Sequence, residues 1–220
     1  MTEFTTWDIL RNLLLAARWT LVLSLVSFVG GGLLGTGLLF LRIGRNRLGR
    51  IFVRGYTELF QGTPLLMQLF LAFFGLGLFG VDVPAWLAAG LALILWTAAF
   101  LVEIWRGCVE SIARGQWEAS SSLGMGYFQQ MRHVILPQAM KISIPGIVNT
   151  FIGLFKDTTL VAIIGLLDPV GLITSIRADT NWNGLVWELY GFVALLFFAC
   201  CFSMSKYSQH LERRLRTDRR

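Results

Sequence analysis

Lys156 and Asp157 stand side by side in GLFKDTTLVAIIG, a stretch otherwise built from apolar, small and hydroxyl residues. A charge at the centre of a membrane helix costs roughly 2.5–3.5 kcal/mol on insertion scales. An opposite pair there therefore asks for a reason. Lysine attracts a carboxylate and aspartate an ammonium, the two charged groups of a zwitterionic amino acid. The pair is poorly placed to neutralise itself, because adjacent helical residues point ~100° apart. The i±4 neighbours Ile152, Gly153, Leu160 and Val161 carry no charge. Compensation has to come from another helix, water, a second subunit or cargo. A structural role, by pairing across a subunit interface or by gating, is the alternative. Further polar groups are Gln61, Thr63, Thr97 and Thr158. Counted from Ile51 and Pro145 at ~1.5 Å per residue, Gln61, Thr63, Lys156 and Asp157 lie ~15 Å into their helices, near the midplane of a ~30 Å hydrocarbon core. Thr97 also falls mid-span.

The elements that must carry these groups are membrane helices. Of the 220 residues 55% are hydrophobic and 15% charged, against about 25% charged in a soluble domain. Five stretches are long and apolar enough to span: residues 19–41, 51–79, 83–105, 142–167 and 185–206. The expected class is an all-α membrane protein with five transmembrane helices. Gly62-Thr63-Pro64 should break or kink the second span, since Pro64 has no N–H to give the carbonyl near Phe60. Broken helices at the midplane point to transporter sites, and a simple packing kink is the alternative. Residues 1–18 carry Phe4, Trp7, Leu10 and Leu14 at helical spacing, which suits an interfacial helix. Glu3 and Asp8 stand where a signal peptide would be basic, so the first apolar run is expected to remain as a helix.

Basic residues sort by side. Arg42, Arg45, Arg47, Arg50 and Arg54 follow span one, and Arg106, Arg114, Arg132 and Lys141 lie between spans three and four. Lys206, Arg213, Arg214, Arg216, Arg219 and Arg220 follow span five, in a basic tail over residues 209–220. With alternating spans all of these share one side, which sets the N-terminus periplasmic and the C-terminus cytoplasmic. Net charge is +6, but its alternation with apolar spans argues against nucleic acid as a partner. Cys108, Cys200 and Cys201 form no CxxC or Cys/His pattern, so no metal site is expected.

The largest cytoplasmic connection, about residues 107–141, contains GQWEASSSLGMGYFQQMRHVILPQA. Two helical pieces are expected, joined at Gly124-Met125-Gly126. The first should open near Glu118, and Pro137 should limit the second. Such a helix–turn–helix can transmit force from a soluble partner; a solvated amphipathic loop is the plainer alternative. Glu118-Ala119-Ser120, three residues, Gly124, nine residues and Val134-Ile135-Leu136-Pro137 resemble the EAA loop of ABC importer permeases. Ser120 and Val134 replace the usual Ala and Ile. YTELFQGTPLLMQLF, VEIWRGCVESIARGQWEA, ILPQAMKISIPGIVN and FKDTTL resemble recurrent segments of the polar amino acid (histidine, glutamine and glutamate) permeases. One departure is Gln61, where that family often has Arg before Gly-Thr-Pro.

The resemblance implies a type I ABC importer fold in a bacterial inner membrane. It implies a translocation pathway shared with a second, identical or paralogous permease, and polar amino acids as substrate. It also implies two cytoplasmic ATPase subunits, with ATP and Mg in those chains, and an external substrate-binding protein. Glu118, Ala119, Leu123, Gly124, Leu136 and Pro137 carry over as ATPase-coupling residues. Glu118 and Gly124 could equally shape the loop itself. No GxxxxGK[ST] is present, so the chain is not expected to be an enzyme, and no cofactor of its own is expected. Gln61, Thr63, Thr97, Lys156, Asp157 and Thr158 remain the candidate substrate pathway in contact with lipid-embedded helices. The competing reading is a stand-alone secondary transporter or channel that uses Lys156 and Asp157 for ion coupling.

Overall fold

The computed structural model describes residues 6–44, 46–166, 168–177 and 186–217. Phe4, Arg45, Leu167, Leu185, Arg219, Arg220 and the outer segment at 178–184 lie outside the described residues. Helix α1 (Thr6–Ile43) is followed by α2 (Arg47–Gly62), which Asn46 caps by accepting the Leu48 N–H at 3.0 Å. Helix α3 (Leu65–Leu78) contains a π-helical turn at Leu71–Gly75. Helices α4 (Ala85–Glu110), α5 (Arg114–Ser122) and α6 (Tyr127–Gln130) come next. A second π turn at Met131–Ile135 leads into α7 (Leu136–Asp157), which tightens into a 3-10 helix at Thr158–Ile164. Helices α8 (Pro169–Arg177) and α9 (Val186–Thr217) complete the described chain.

Helices α1, α4, α7 and α9 lie in segments long and apolar enough to cross a membrane; α2 and α3 together make a fifth, broken span bent by 102°. The break expected at Gly62–Pro64 is therefore present. Helix α4 is the hub. Its small residues Ala88, Ala89, Ala92, Ala98 and Ala99 are buried, and α1, α2, α3 and α7 all pack on it. On α1 the matching face is Gly31 and Gly35. A Cβ on Gly31 would sit 2.6 Å from Thr97 Cβ, so the two backbones meet at a distance only glycine allows.

Four apolar clusters hold the bundle. One joins Leu65 and Leu69 of α3 to Leu93 of α4 and to Leu154, Val161 and Ile164 of the α7–3-10 segment. A second joins Leu38 and Leu39 to Val53, Leu101 and Trp105. A third sets Leu13 against Ile173 and Leu189. The last, at the basic end, gathers Val109, Ile112, Met131, Ile135 and Ala139. Arg42 reaches Glu103 at 3.4 Å and Arg106 reaches the same carboxylate at 2.6 Å, tying α1 to α4 at that end.

Three sequence expectations change. The segment 6–18 is helical but is not set off from the first span, because α1 runs unbroken from Thr6 to Ile43. Glu118 does not open its helix: α5 begins at Arg114, and the Ala113 carbonyl accepts the Gln116 N–H at 2.9 Å as its first turn closes. Pro137 does not stop a helix. It lies inside a helix that runs on unbroken from Tyr127, and the π turn at Met131–Ile135 just before it accommodates the missing N–H.

Candidate functional site

The coupling loop folds as a compact unit. Helix α5 ends in a left-handed turn at Gly124 (φ 76°). The Gly124 N–H bonds the Ser121 carbonyl at 2.9 Å and the Met125 N–H the Ser120 carbonyl at 3.2 Å. This is the paired C-terminal closure that favours glycine. Ser120 is buried, and its hydroxyl bonds the Gln116 and Trp117 carbonyls at 2.8 and 2.9 Å. The serine thus fits the small-residue position with its hydroxyl folded back on its own helix. Gln130 donates to Ser121 Oγ at 2.7 Å across the turn, and the ring of Trp117 stacks near that of Tyr127. Tyr127 donates to the Ile43 carbonyl at 3.2 Å, and Gln138 to Gln116 Oε1 at 3.1 Å. The loop is thereby fastened to the end of α1 and the start of α7.

Among its exposed residues are two large apolar side chains. Leu123 is 76% exposed and Phe128 72%. Glu118, Ala119, Gly124 and Pro137 are also exposed, and Leu136 is half-buried beside the Met131–Ile135 cluster. Phe128 was not among the residues singled out from the sequence. Its place just after the Gly124–Gly126 turn, as an aromatic on the first turn of α6, was the available signal.

The membrane groups lie on or beside α2, α4 and the junction of α7 with the 3-10 segment. Lys156 is exposed and Asp157 half-buried, at the junction where α7 tightens. Among the described residues no ion pair joins either to another charge. Thr158 is buried and donates to the Phe155 carbonyl at 2.8 Å; Thr159 donates to the Lys156 carbonyl at 2.8 Å. These hydroxyls take up carbonyls at the end of α7, which helps the chain adopt the tighter winding. The 3-10 segment closes at Gly165 (φ 84°).

Gln61 donates its amide to the Ala99 carbonyl at 3.0 Å, and Tyr56, one turn earlier, donates to the Leu95 carbonyl at 2.5 Å. Gln61 is thus an anchor of α2 on α4. Thr63, extended at φ −110°, donates to the Leu59 carbonyl at 2.8 Å. Thr97 is fully buried against Gly31, and among the described residues its hydroxyl has no partner. It is placed at the α1–α4 contact. Gln68 was missed. Its amide nitrogen bonds the Phe60 carbonyl at 2.9 Å, the Thr63 carbonyl at 3.1 Å and Thr63 Oγ1 at 2.9 Å. The carbonyl that Pro64 orphans is filled by this side chain, and a glutamine four residues after the proline was the signal. A groove of about 730 Å³ opens beside the π turn of α3, lined by Phe70, Phe73, Phe74 and Asp82; none of the predicted pathway residues lines it.

Coupling loop and charged turn are opposite ends of one helix. Residues 27–217 match the model of the binding-protein-dependent transport system inner membrane components. The chain belongs to that family. It is thus a multi-pass membrane protein, and membership sets aside the stand-alone secondary transporter. The family's glutamate/glutamine/aspartate/asparagine transport system permease protein of Rhodobacter capsulatus is 48% identical over 76% of this chain and 39% of its own length. An inner membrane amino-acid ABC transporter permease protein of Escherichia coli is 41% identical over 91% of this chain and 56% of its own length. The chain therefore spans well under two thirds of either relative. Among solved structures, an amino acid ABC transporter crystallised with histidines superposes with a TM-score of 0.88 at 30% identity, covering 97% of this chain and 100% of that one. The type I ABC importer fold expected from the coupling-loop resemblance is the fold of this inner membrane component.

Proposed function

We propose that this chain is the permease subunit of an ATP-driven importer of polar amino acids, working beside a second permease, two ATPase subunits and an external binding protein. The observation that carries the reading is α7: it begins at the coupling loop and ends at Lys156–Asp157, 22 residues on. At ~1.5 Å per residue that is about 33 Å of helix, long enough to link a loop outside the membrane to a charged turn within the ~30 Å hydrocarbon core. Closure of the ATPases would press on the Leu123 and Phe128 tip. The tethers at Ile43 and Gln116 would carry the displacement into α1 and α7 together. The N-terminus is placed outside and the coupling loop in the cytoplasm, on the strength of the basic residues that flank the loop. Hydrolysis belongs to the partner chains.

The exposed Lys156 and half-buried Asp157 supply the two charges that an amino acid's carboxylate and ammonium would meet. The support for this substrate class is that chemistry and the transport activities for which the relatives are named. The test is reconstitution of the complex in liposomes, with uptake of labelled amino acids and ATP hydrolysis measured for wild type, Lys156→Met and Asp157→Asn. Both variants are expected to lose uptake at least tenfold while assembly is retained. Wild-type KM and rate in both would remove the pair from the pathway. Absence of ATP-dependent amino acid uptake by the wild-type complex would overturn the importer reading itself.

A further inference from the structure

A helix that ends inside a membrane leaves its last four carbonyls unpaired, and water is not at hand to solvate them. Helix α2 ends this way at Gly62. Two of its carbonyls find local donors: Leu59 takes the Thr63 hydroxyl and Phe60 takes the Gln68 amide. A continuing helix would serve Phe60 with the N–H of residue 64, but that residue is Pro64. Gln68 stands one helical turn beyond, on α3, and its –NH₂ reaches back over the proline.

The orientation of that amide is fixed by its surroundings. Thr63 Oγ1 spends its proton on Leu59, so it can only accept from Gln68. The Phe60 and Thr63 carbonyls are acceptors as well. Three acceptors converge, and only the nitrogen end can meet them. Among the described residues the amide oxygen is left buried with no partner.

Each half-helix is also moored. Tyr56 and Gln61 hold α2 to α4 by the Leu95 and Ala99 carbonyls. Leu65 and Leu69 hold α3 against Leu154 and Val161, just before and after the charged turn. From this we infer that Gln68 is a positioning residue: its amide replaces the backbone N–H that Pro64 lacks, pins the 102° bend, and so sets the angle at which the broken span meets the Lys156–Asp157 turn.

Transport as a readout rests on the importer reading; the bend itself does not, so the experiment measures both. The assembled complex is prepared with Gln68→Leu, Pro64→Ala and the double variant. Spin labels are placed on cysteines at the exposed positions Phe52 and Leu78, with Cys108, Cys200 and Cys201 replaced by serine. In Gln68→Leu the inter-label distance distribution is expected to shift or broaden, and uptake to fall at least tenfold in rate with KM for loaded binding protein within twofold. Pro64→Ala restores an N–H at residue 64. Thr63 and residue 64 are extended (ψ 140° and 133°), so that N–H can reach the Phe60 carbonyl only if the bend opens. The double variant is therefore expected to show a longer inter-label distance than wild type, while Pro64→Ala alone, with Gln68 in place, stays near wild type. An unchanged distance distribution in Gln68→Leu overturns the inference whatever happens to uptake. So does a wild-type distance distribution in the double variant, or failure of Gln68→Leu to assemble. If the wild-type complex shows no amino acid uptake, the importer reading fails and the distance measurement still decides the role of Gln68.

Discussion

Gly31→Ala adds one methyl group to α1, and the structure says where it would land. The new Cβ would lie 2.6 Å from Thr97 Cβ, 2.8 Å from Thr97 Cγ2 and 3.0 Å from the Ile94 carbonyl oxygen. Relaxed carbon contacts are about 3.5–4.0 Å, so α1 and α4 would have to part by roughly 1 Å. Two of the three obstacles cannot rotate away, since one is a Cβ and the other is backbone. Overpacking of this kind costs about 1–3 kcal/mol. Gly37 lies on the exposed side of the same helix, and a methyl group added there would meet nothing within 4 Å. The gain in helix propensity is common to both alanine variants, so comparing them isolates packing. The assay is unfolding of the detergent-solubilised complex in increasing SDS, followed by tryptophan fluorescence. Gly31→Ala should unfold at lower denaturant than Gly37→Ala by an amount equal to about 1–3 kcal/mol. A second substitution sharpens the test. Thr97→Ala keeps the offending Cβ and should give little relief, whereas Thr97→Gly removes it. Equal midpoints for Gly31→Ala and Gly37→Ala would refute the close approach, as would full relief by Thr97→Ala.

Gly124→Ala forces an L-residue to φ 76° at about 1–2 kcal/mol, enough to depopulate the docked shape of the loop. ATP-driven uptake should fall several-fold in reconstituted vesicles, while Gly126→Ala, at φ −69°, should leave it unchanged. Glu103→Gln weakens the contact with Arg42 and with Arg106, both largely shielded, and should cost about 1–2 kcal/mol in the same SDS titration. Glu58→Gln, whose pair with Arg54 is exposed, should leave the midpoint unchanged.

Much of this molecule was legible in its sequence because the bilayer leaves so few options. Long apolar runs had to be helices, and Pro64 had to orphan a carbonyl. The spacing around Gly124 marked a turn between two helical pieces, and that turn formed as the glycine required. What stayed hidden depended on which helix faces which. Thr97 shares its depth with Gln61, yet Gly31 across the α1–α4 contact, not depth, decides its surroundings. Gln61 read as a free polar group until the Ala99 carbonyl claimed it. Gln68 passed as one polar residue in an apolar run, because a side chain that repairs backbone is recognised only when the break has a direction. Pro137 misled for the opposite reason: the π turn just before it lets the helix run through a proline that a regular α-helix would not carry unbroken.

The change of winding at Thr158 has a geometric consequence. An α-helix turns 100° and rises about 1.5 Å per residue, a 3-10 helix 120° and about 2.0 Å. Moving the boundary between them by one residue rotates everything beyond it by about 20° and shifts it by about 0.5 Å. Beyond it lie Val161 and Ile164, which pack on Leu65 and Leu69 of the broken span. At its charged end, a one-residue change in where α7 tightens would therefore turn that contact relative to Lys156 and Asp157.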